Sequence, residues 1–167
     1  MGCRREGKST DPQIRLLASS SVAALLLGGG APAALAAPCA INITSGTQSS
    51  VSNSSPINCI NIKDATVTGN VSNSSSIIAH ATGPTSGVGI TASGASIGGT
   101  ITNSGSISGN YSGISIRANA TVAGGIVNSG TVTAGNVAAI DVFGLSTFGG
   151  GVSNLGTVGA QVGVEVY

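Results

Sequence analysis

Charged and aromatic side chains are scarce in this sequence. Of its 167 residues, 7% are charged and 2% are aromatic, and tryptophan is absent. The chain therefore cannot build a core around large aromatic anchors. It contains one histidine and neither the HExxH motif nor a phosphate-cradling motif of the kinds that mark common active sites. Glycine, serine, threonine, asparagine, alanine, valine and isoleucine dominate instead.

Low charge also separates this chain from disordered Gly/Ser-rich segments. Such segments combine low hydrophobicity with high net charge. Here 41% of the residues are hydrophobic, the mean hydropathy is +0.40 and the formal net charge is +1. The composition favours a packed structure with small β-branched residues inside.

Most of the basic residues lie in the first 36 positions, which are typical of a signal peptide. A basic segment precedes a mostly apolar run over 16–27, and Ala34-Leu35-Ala36 forms a cleavage motif before Ala37. The run is shorter than the roughly 20 apolar residues that span a bilayer, although a permanent N-terminal anchor stays the alternative. After cleavage two basic and three acidic residues remain, so nucleic-acid binding is not expected.

One motif recurs along the rest of the chain and contains an asparagine. The asparagines at 53, 73, 103, 128 and 154 are 20, 30, 25 and 26 residues apart, a period typical of solenoids. Apolar residues stand at fixed offsets from them. The predicted core positions two before and four after each asparagine are Val51, Val71, Ile101, Ile126 and Val152, and Ile57, Ile77, Ile107, Val132 and Val158. A further set, six before, is Val67, Ile97, Val122 and Phe148.

Each copy closes with apolar residues in alternation, which indicates a strand with one side chain inward and the next outward. The closing pairs are Val88 and Ile90, Ile114 and Ile116, Ile140 and Val142, and Val164 and Val166. Such a unit buries its apolar face only by stacking on a copy of itself. The sequence therefore predicts an all-β parallel β-helix or solenoid of about four to five rungs. We divide it into a signal peptide (1–36), a cap or degenerate first rung (37–64) and repeats over 65–94, 95–119, 120–144 and 145–167.

Two features have structural interpretations. Cys39 and Cys59 are the only cysteines after the leader, and in an oxidising compartment we expect a disulfide rather than two free thiols. The recurring asparagines, Asn73, Asn103, Asn128 and Asn154 with Asn53 before them, are either corner residues or an inward ladder of amides. Either role is structural.

No catalytic, cofactor or metal site is predicted. The carboxylates Asp64, Asp141 and Glu165 lie in different copies, and by parity Asp141 should point outward. His80 stands in a Gly/Pro-containing insertion and is expected to be solvated. Tyr111 and Phe143 border the variable edge, where they either shield the core or bind carbohydrate.

The leader, the close cysteine pair and the Gly-Gly-x-Ile/Val-x-Asn-x-Gly-Thr/Ser-Ile/Val copies together resemble the N-terminal passenger region of a bacterial autotransporter. The resemblance implies a β-helical passenger at the surface of a Gram-negative cell, in adhesion, aggregation or biofilm formation, carried by a C-terminal outer-membrane barrel. No barrel strands precede Tyr167, so we expect a truncated passenger.

The leading functional hypothesis is accordingly a non-enzymatic, exported stalk or adhesin without cofactors. Its partners would be host or neighbouring-cell surfaces or other copies of itself. The alternatives are a self-assembling extracellular structural protein and, last for want of carboxylates, a fragment of a β-helix carbohydrate-active enzyme.

Overall fold

The computed structural model of the protein describes residues 39–80 and 87–167. The predicted signal peptide and its cleavage site lie outside the described residues. Twenty short β-strands and no helix occur in the described ranges. The strands of the first three rungs are β1 (Ile41–Ile43), β2 (Thr47–Gln48), β3 (Val51–Asn53), β4 (Ile60–Lys63), β5 (Thr66–Val67), β6 (Val71–Asn73), β7 (Ser76–Ala79), β8 (Ile90–Ser93), β9 (Ser96–Ile97), β10 (Ile101–Asn103) and β11 (Ser106–Gly109).

The later rungs repeat the same order of strands. They contain β12 (Ile114–Arg117), β13 (Thr121–Val122), β14 (Ile126–Asn128), β15 (Thr131–Ala134), β16 (Ala138–Val142), β17 (Thr147–Phe148), β18 (Val152–Asn154), β19 (Thr157–Gly159) and β20 (Val162–Val166). Five rungs are thus present, beginning at β1, β4, β8, β12 and β16, and β20 begins a sixth.

Each strand pairs in parallel with its equivalents in the neighbouring rungs, so that four parallel sheets form. Sheet 1 has the order β1-β4-β8-β12-β16-β20, and sheet 2 the order β2-β5-β9-β13-β17. Sheet 3 runs β3-β6-β10-β14-β18 and sheet 4 runs β7-β11-β15-β19, with Ile57 bridging to Ile77 at its start. The predicted all-β parallel solenoid is confirmed.

The core consists of aligned columns of isoleucine and valine. The register pairs Val51 with Val71, Ile101 with Val71 and with Ile126, and Ile126 with Val152. The residues four after each asparagine align in the same way through sheet 4. Val71, Ile77, Ile101, Ile107, Ile126 and Val132 are buried, whereas Val152 and Val158, in the last rung, are half-buried. Burying such a side chain stabilises the fold by about 1.5–3 kcal/mol.

The closing strands of sheet 1 differ from the prediction in one pair. Ile90 and Ala92, rather than Val88 and Ile90, are in register with Ile114 and Ile116. Alanine is a weak signal in a period-two pattern. The prediction therefore chose the more apolar Val88 as the partner of Ile90, instead of Ala92. Val88 precedes the strand and lies outside the main core cluster.

Glycines recur where consecutive rungs approach each other most closely. A Cβ atom on Gly105 would overlap the carbonyl oxygen of Ser75 in the rung before, and one on Gly130 would overlap that of Gly105. Neither glycine has a positive φ, so it is the close approach of two backbones, and not a left-handed turn, that requires glycine there.

Candidate functional site

The recurring asparagines form a hydrogen-bonded ladder inside the solenoid. Each side-chain Nδ2 donates to the Oδ1 of its equivalent in the next rung: Asn53 to Asn73 at 2.7 Å, Asn73 to Asn103 at 2.8 Å, Asn103 to Asn128 at 2.8 Å and Asn128 to Asn154 at 2.7 Å. The Nδ2 atoms also donate to a carbonyl two residues on, as from Asn73 to Ser75. The first four asparagines are buried.

This arrangement decides between the two interpretations of the asparagines. None of the five has a positive φ, the conformation that a corner role would use. Along the column each Nδ2 donates to an Oδ1 of the next asparagine, which satisfies the requirement that buried amides be hydrogen-bonded. The ladder stabilises the stack and leaves no group free for a ligand in the buried rungs.

The disulfide also serves the stack. Cys39 and Cys59 are bonded, with their Cα atoms 4.7 Å apart, and each precedes a strand of sheet 1. The bond links β1 to β4, the first two strands of that sheet. The predicted disulfide is confirmed.

Nearly all of the charged residues in the described ranges lie on a different surface. In the described ranges the charged residues are Lys63, Asp64, Arg117, Asp141 and Glu165, and all but Asp64 lie on the outer side of sheet 1. We define the charged face as two columns of outward residues on this sheet: Asn42, Asn61, Thr91, Ser115, Asp141 and Glu165 in the first, and Lys63, Ser93, Arg117, Phe143 and Tyr167 in the second.

Two carboxylates that the sequence placed in separate copies are neighbours on this face. Asp141 of β16 and Glu165 of β20 are partners in the parallel register. The two carboxylates belong to different copies, as the sequence indicates, but they are not separated in space. Asp64 lies apart from it, next to the exposed Lys63, with 3.9 Å between Nζ and Oδ2. An exposed pair at that distance contributes little to stability.

Asp141 points outward, as parity predicts, yet it is buried. Only 2% of its surface is exposed, and Ser115, its partner in β12, is buried to the same extent. From Thr91 to Asp141 the outward positions of the first column are therefore buried, whereas Asn42 and Lys63 on the same sheet are exposed. Burial, and after it the negative charge of Glu165, raises the pKa of Asp141 above its usual value, while Arg117 acts in the opposite direction.

An aromatic pair lies beside the carboxylates. The rings of Phe143 and Tyr167 stack with 5.9 Å between their centroids. Partial desolvation, followed by the charges of Asp141 and Glu165, raises the pKa of the Tyr167 phenol. The phenol therefore lies within electrostatic range of both carboxylates.

His80 is exposed, as expected of a loop residue, beside a shallow groove of about 290 Å³ on sheet 4 that Ser108, Asn110 and Thr133 help to line. The rest of the predicted insertion, 81–86, lies outside the described residues.

No group of three or more histidine, cysteine or acidic side chains is placed to hold a metal ion in the part of the chain that the structure describes. Nor does any helix there have the length and apolar character to cross a membrane.

Comparison of the chain with protein-family models, with characterised proteins and with solved structures yields no match.

The last rung forms the second candidate site. Its strand β20 pairs with β16 on one side only, and its side chains Val162, Val164 and Val166 are 43%, 42% and 60% exposed. Leu155 and Tyr167 are exposed at the same end. A strand edge with free backbone groups and apolar side chains is a template for pairing with another strand.

Proposed function

We propose that this protein is an exported, non-enzymatic β-solenoid that acts as a stalk or adhesive surface, as part of an autotransporter passenger. The observation that carries the proposal is the continuous ladder from Asn53 to Asn154 within four parallel sheets. The buried asparagine side chains join one rung to the next, and the result is an extended, regular scaffold.

Two further observations support export and display. A disulfide fits an oxidising compartment, which matches the predicted signal peptide. The sheet surfaces other than the charged face carry mainly serine and threonine, so that they offer neutral hydroxyl groups to water or to another surface.

Export is tested by expressing the full chain in a Gram-negative host and measuring the intact mass of the protein outside the cytoplasm. We expect an N-terminus at Ala37 and no free thiol before reduction. A protein that keeps residues 1–36, or whose Cys39 and Cys59 can both be alkylated without reductant, contradicts export.

Display by an autotransporter is tested by the gene. In-frame or frameshifted codons for an outer-membrane barrel downstream of Tyr167 are expected, and a stop codon followed by an unrelated gene contradicts this part of the proposal. Adhesion is tested by the binding of labelled protein to host and bacterial cells, with heat-unfolded protein as the control. Binding that does not exceed this control contradicts it.

A second candidate function is a self-assembling extracellular structural protein. The exposed edge and valines of β20 favour it, because further strands can add there. Sedimentation distinguishes the candidates: growth of the assembly with concentration is expected for the polymer, and a stable monomer at tens of micromolar is expected for the adhesive stalk alone.

A further inference from the structure

Asp141 and Glu165 place two negative charges side by side on the charged face. They are partners in register on adjacent parallel strands, which are about 4.8 Å apart. Like charges directly opposite each other destabilise a sheet. The two rungs that carry them therefore pair less favourably than the rungs below, unless something neutralises the carboxylates.

The surroundings of Asp141 make this repulsion more costly. The residue is 2% exposed, and its Oδ1 has no hydrogen-bond partner in the described chain. Arg117, a cationic side chain of the same face, forms no ion pair with Asp141, because the one ion pair found among residues 39–80 and 87–167 joins Lys63 to Asp64. A buried carboxylate oxygen without a partner requires an explanation, and a bound ion or water is one.

We propose that Asp141 and Glu165 bind a hard divalent cation, Ca²⁺, between the last two strands of sheet 1. Ca²⁺ takes about 6–8 oxygen ligands at about 2.3–2.6 Å in irregular geometry, and carboxylates and water suit it. Carboxylates on adjacent strands can both reach one ion, and water completes its shell. Mg²⁺, which demands near-ideal octahedral geometry and dehydrates reluctantly, fits such a pair less well.

The site holds few protein ligands, so its affinity is low. Extracellular modules bind Ca²⁺ with dissociation constants of about 10⁻⁴–10⁻³ M. Binding would remove the repulsion between β16 and β20 and couple the exposed last strand to the rung below. The inference depends on the register of the two carboxylates and on the burial of Asp141, and it stands whether or not the protein is an adhesin.

Thermal unfolding of the purified chain, freed of metal with a chelator, tests the proposal. We expect Ca²⁺ to raise the melting temperature in a saturable way, half-maximally at about 1 mM, while NaCl of equal ionic strength does not. Asp141→Asn and Glu165→Gln should each abolish the rise. Asp64→Asn, which removes a carboxylate elsewhere on the surface, should leave it unchanged.

Terbium luminescence supplies a readout that does not depend on stability. The chain has no tryptophan and two tyrosines, and Tyr167 lies within electrostatic range of both carboxylates. Tb³⁺, which stands in for Ca²⁺, should gain emission sensitised by tyrosine. The gain should be lost in Asp141→Asn, displaced by Ca²⁺, and strongly reduced in Tyr167→Phe.

Four results would overturn the proposal. The first is a melting temperature that Ca²⁺ does not raise in any saturable way. The second is an equal rise in the wild type and in Asp141→Asn. The third is relief of the repulsion by acidification alone, without any response to Ca²⁺, which would assign a proton to the pair. Arg117→Gln removes the opposing positive charge and should lower the half-saturating Ca²⁺ concentration; a higher concentration would contradict the site.

Discussion

The two ends of the solenoid contain equivalent residues in different surroundings. In the first rung Val51 and Asn53 are 5% and 4% exposed, whereas in the last complete rung Val152 is half-buried and Asn154 is exposed. The first two strands of sheet 1 are joined by the disulfide, and the last strand has an open edge. β3 and β18 are both edge strands of sheet 3, so a place in the repeat determines which way a side chain points but does not by itself determine whether that side chain is buried.

The largest effect is expected where both neighbouring rungs are present. Ile101→Asp would put an unpaired carboxylate between Val71 and Ile126, at a cost of several kcal/mol. The matched control is Ser108→Asp, on an exposed outward position of β11, which should cost less than about 0.5 kcal/mol. Circular dichroism melts measure both. Equal melting temperatures for the two variants would mean that the assignment of inward and outward positions is wrong.

Ser115→Asp illustrates why that control must be chosen from the structure. Alternation alone places Ser115 outward and predicts that its substitution is harmless. Ser115 is buried beside Asp141, so that a second carboxylate there should be strongly destabilising.

Removing the disulfide should lower the free energy of unfolding through the N-terminal end of the solenoid, where the bond joins β1 to β4. The bond closes a loop of 20 residues, and the chain-entropy model gives a loss of about 3 kcal/mol for Cys39→Ser with Cys59→Ser. Urea unfolding of the double variant measures the loss. Reduced wild-type protein is the control, and it should unfold at the same urea concentration as the double variant; an unchanged midpoint in both would show that the bond does not constrain the unfolded chain.

The ladder allows the middle and the open end to be compared with one substitution. Asn103→Ala leaves the Nδ2 of Asn73 and the Oδ1 of Asn128 without their ladder partners, each buried group costing about 1–3 kcal/mol. Asn154→Ala removes a partner from Asn128 alone, at the exposed end, and should cost less. Denaturant titration measures the loss in free energy of unfolding for each variant. An equal loss in both would mean that a neighbour on each side of the ladder adds no stability.

Asp141 should make stability depend on pH at the open end. Its pKa is raised in the folded state, so its contribution is fully favourable below the unfolded pKa of about 3.9 and is lost as pH rises through the folded pKa. In chelator, Asp141→Asn should therefore be more stable than the wild type at pH 7, by about 1 kcal/mol for removal of a like-charge pair. The advantage should vanish near pH 4. A variant that is less stable at pH 7 would contradict the raised pKa.

Charging the open edge should have the smallest effect on stability and a visible one on association. Val164→Lys with Val166→Lys should change the free energy of unfolding by less than about 1 kcal/mol, because both side chains are substantially exposed. Lysines on an edge strand oppose pairing, so the self-association of the wild type should disappear in sedimentation. Exposed Ser106→Lys with Ser108→Lys, on β11 within the stack, is the control and should still associate.

Much of the fold could be read from the sequence because the repeat states it several times. The spacing of the asparagines and the apolar offsets around them predicted parallel stacking and the columns at Ile101, Ile107 and their equivalents. A period needs no tertiary information, since each copy aligns with the next by residue type. The closing strand at Ile90 was misplaced by two residues where one copy lacks a large apolar residue, at Ala92.

The candidate site on the charged face was beyond the reach of that reasoning. Asp141 and Glu165 are 24 residues apart and belong to different copies, and one carboxylate in each copy does not look like a cluster. Stacking converts one turn of the chain into one strand spacing, which brings them together. The repeat by itself determined the direction of each side chain, because alternation is a local property of strands. Only the tertiary structure decided which side chains are neighbours and which are buried, because both depend on the rung above and the rung below.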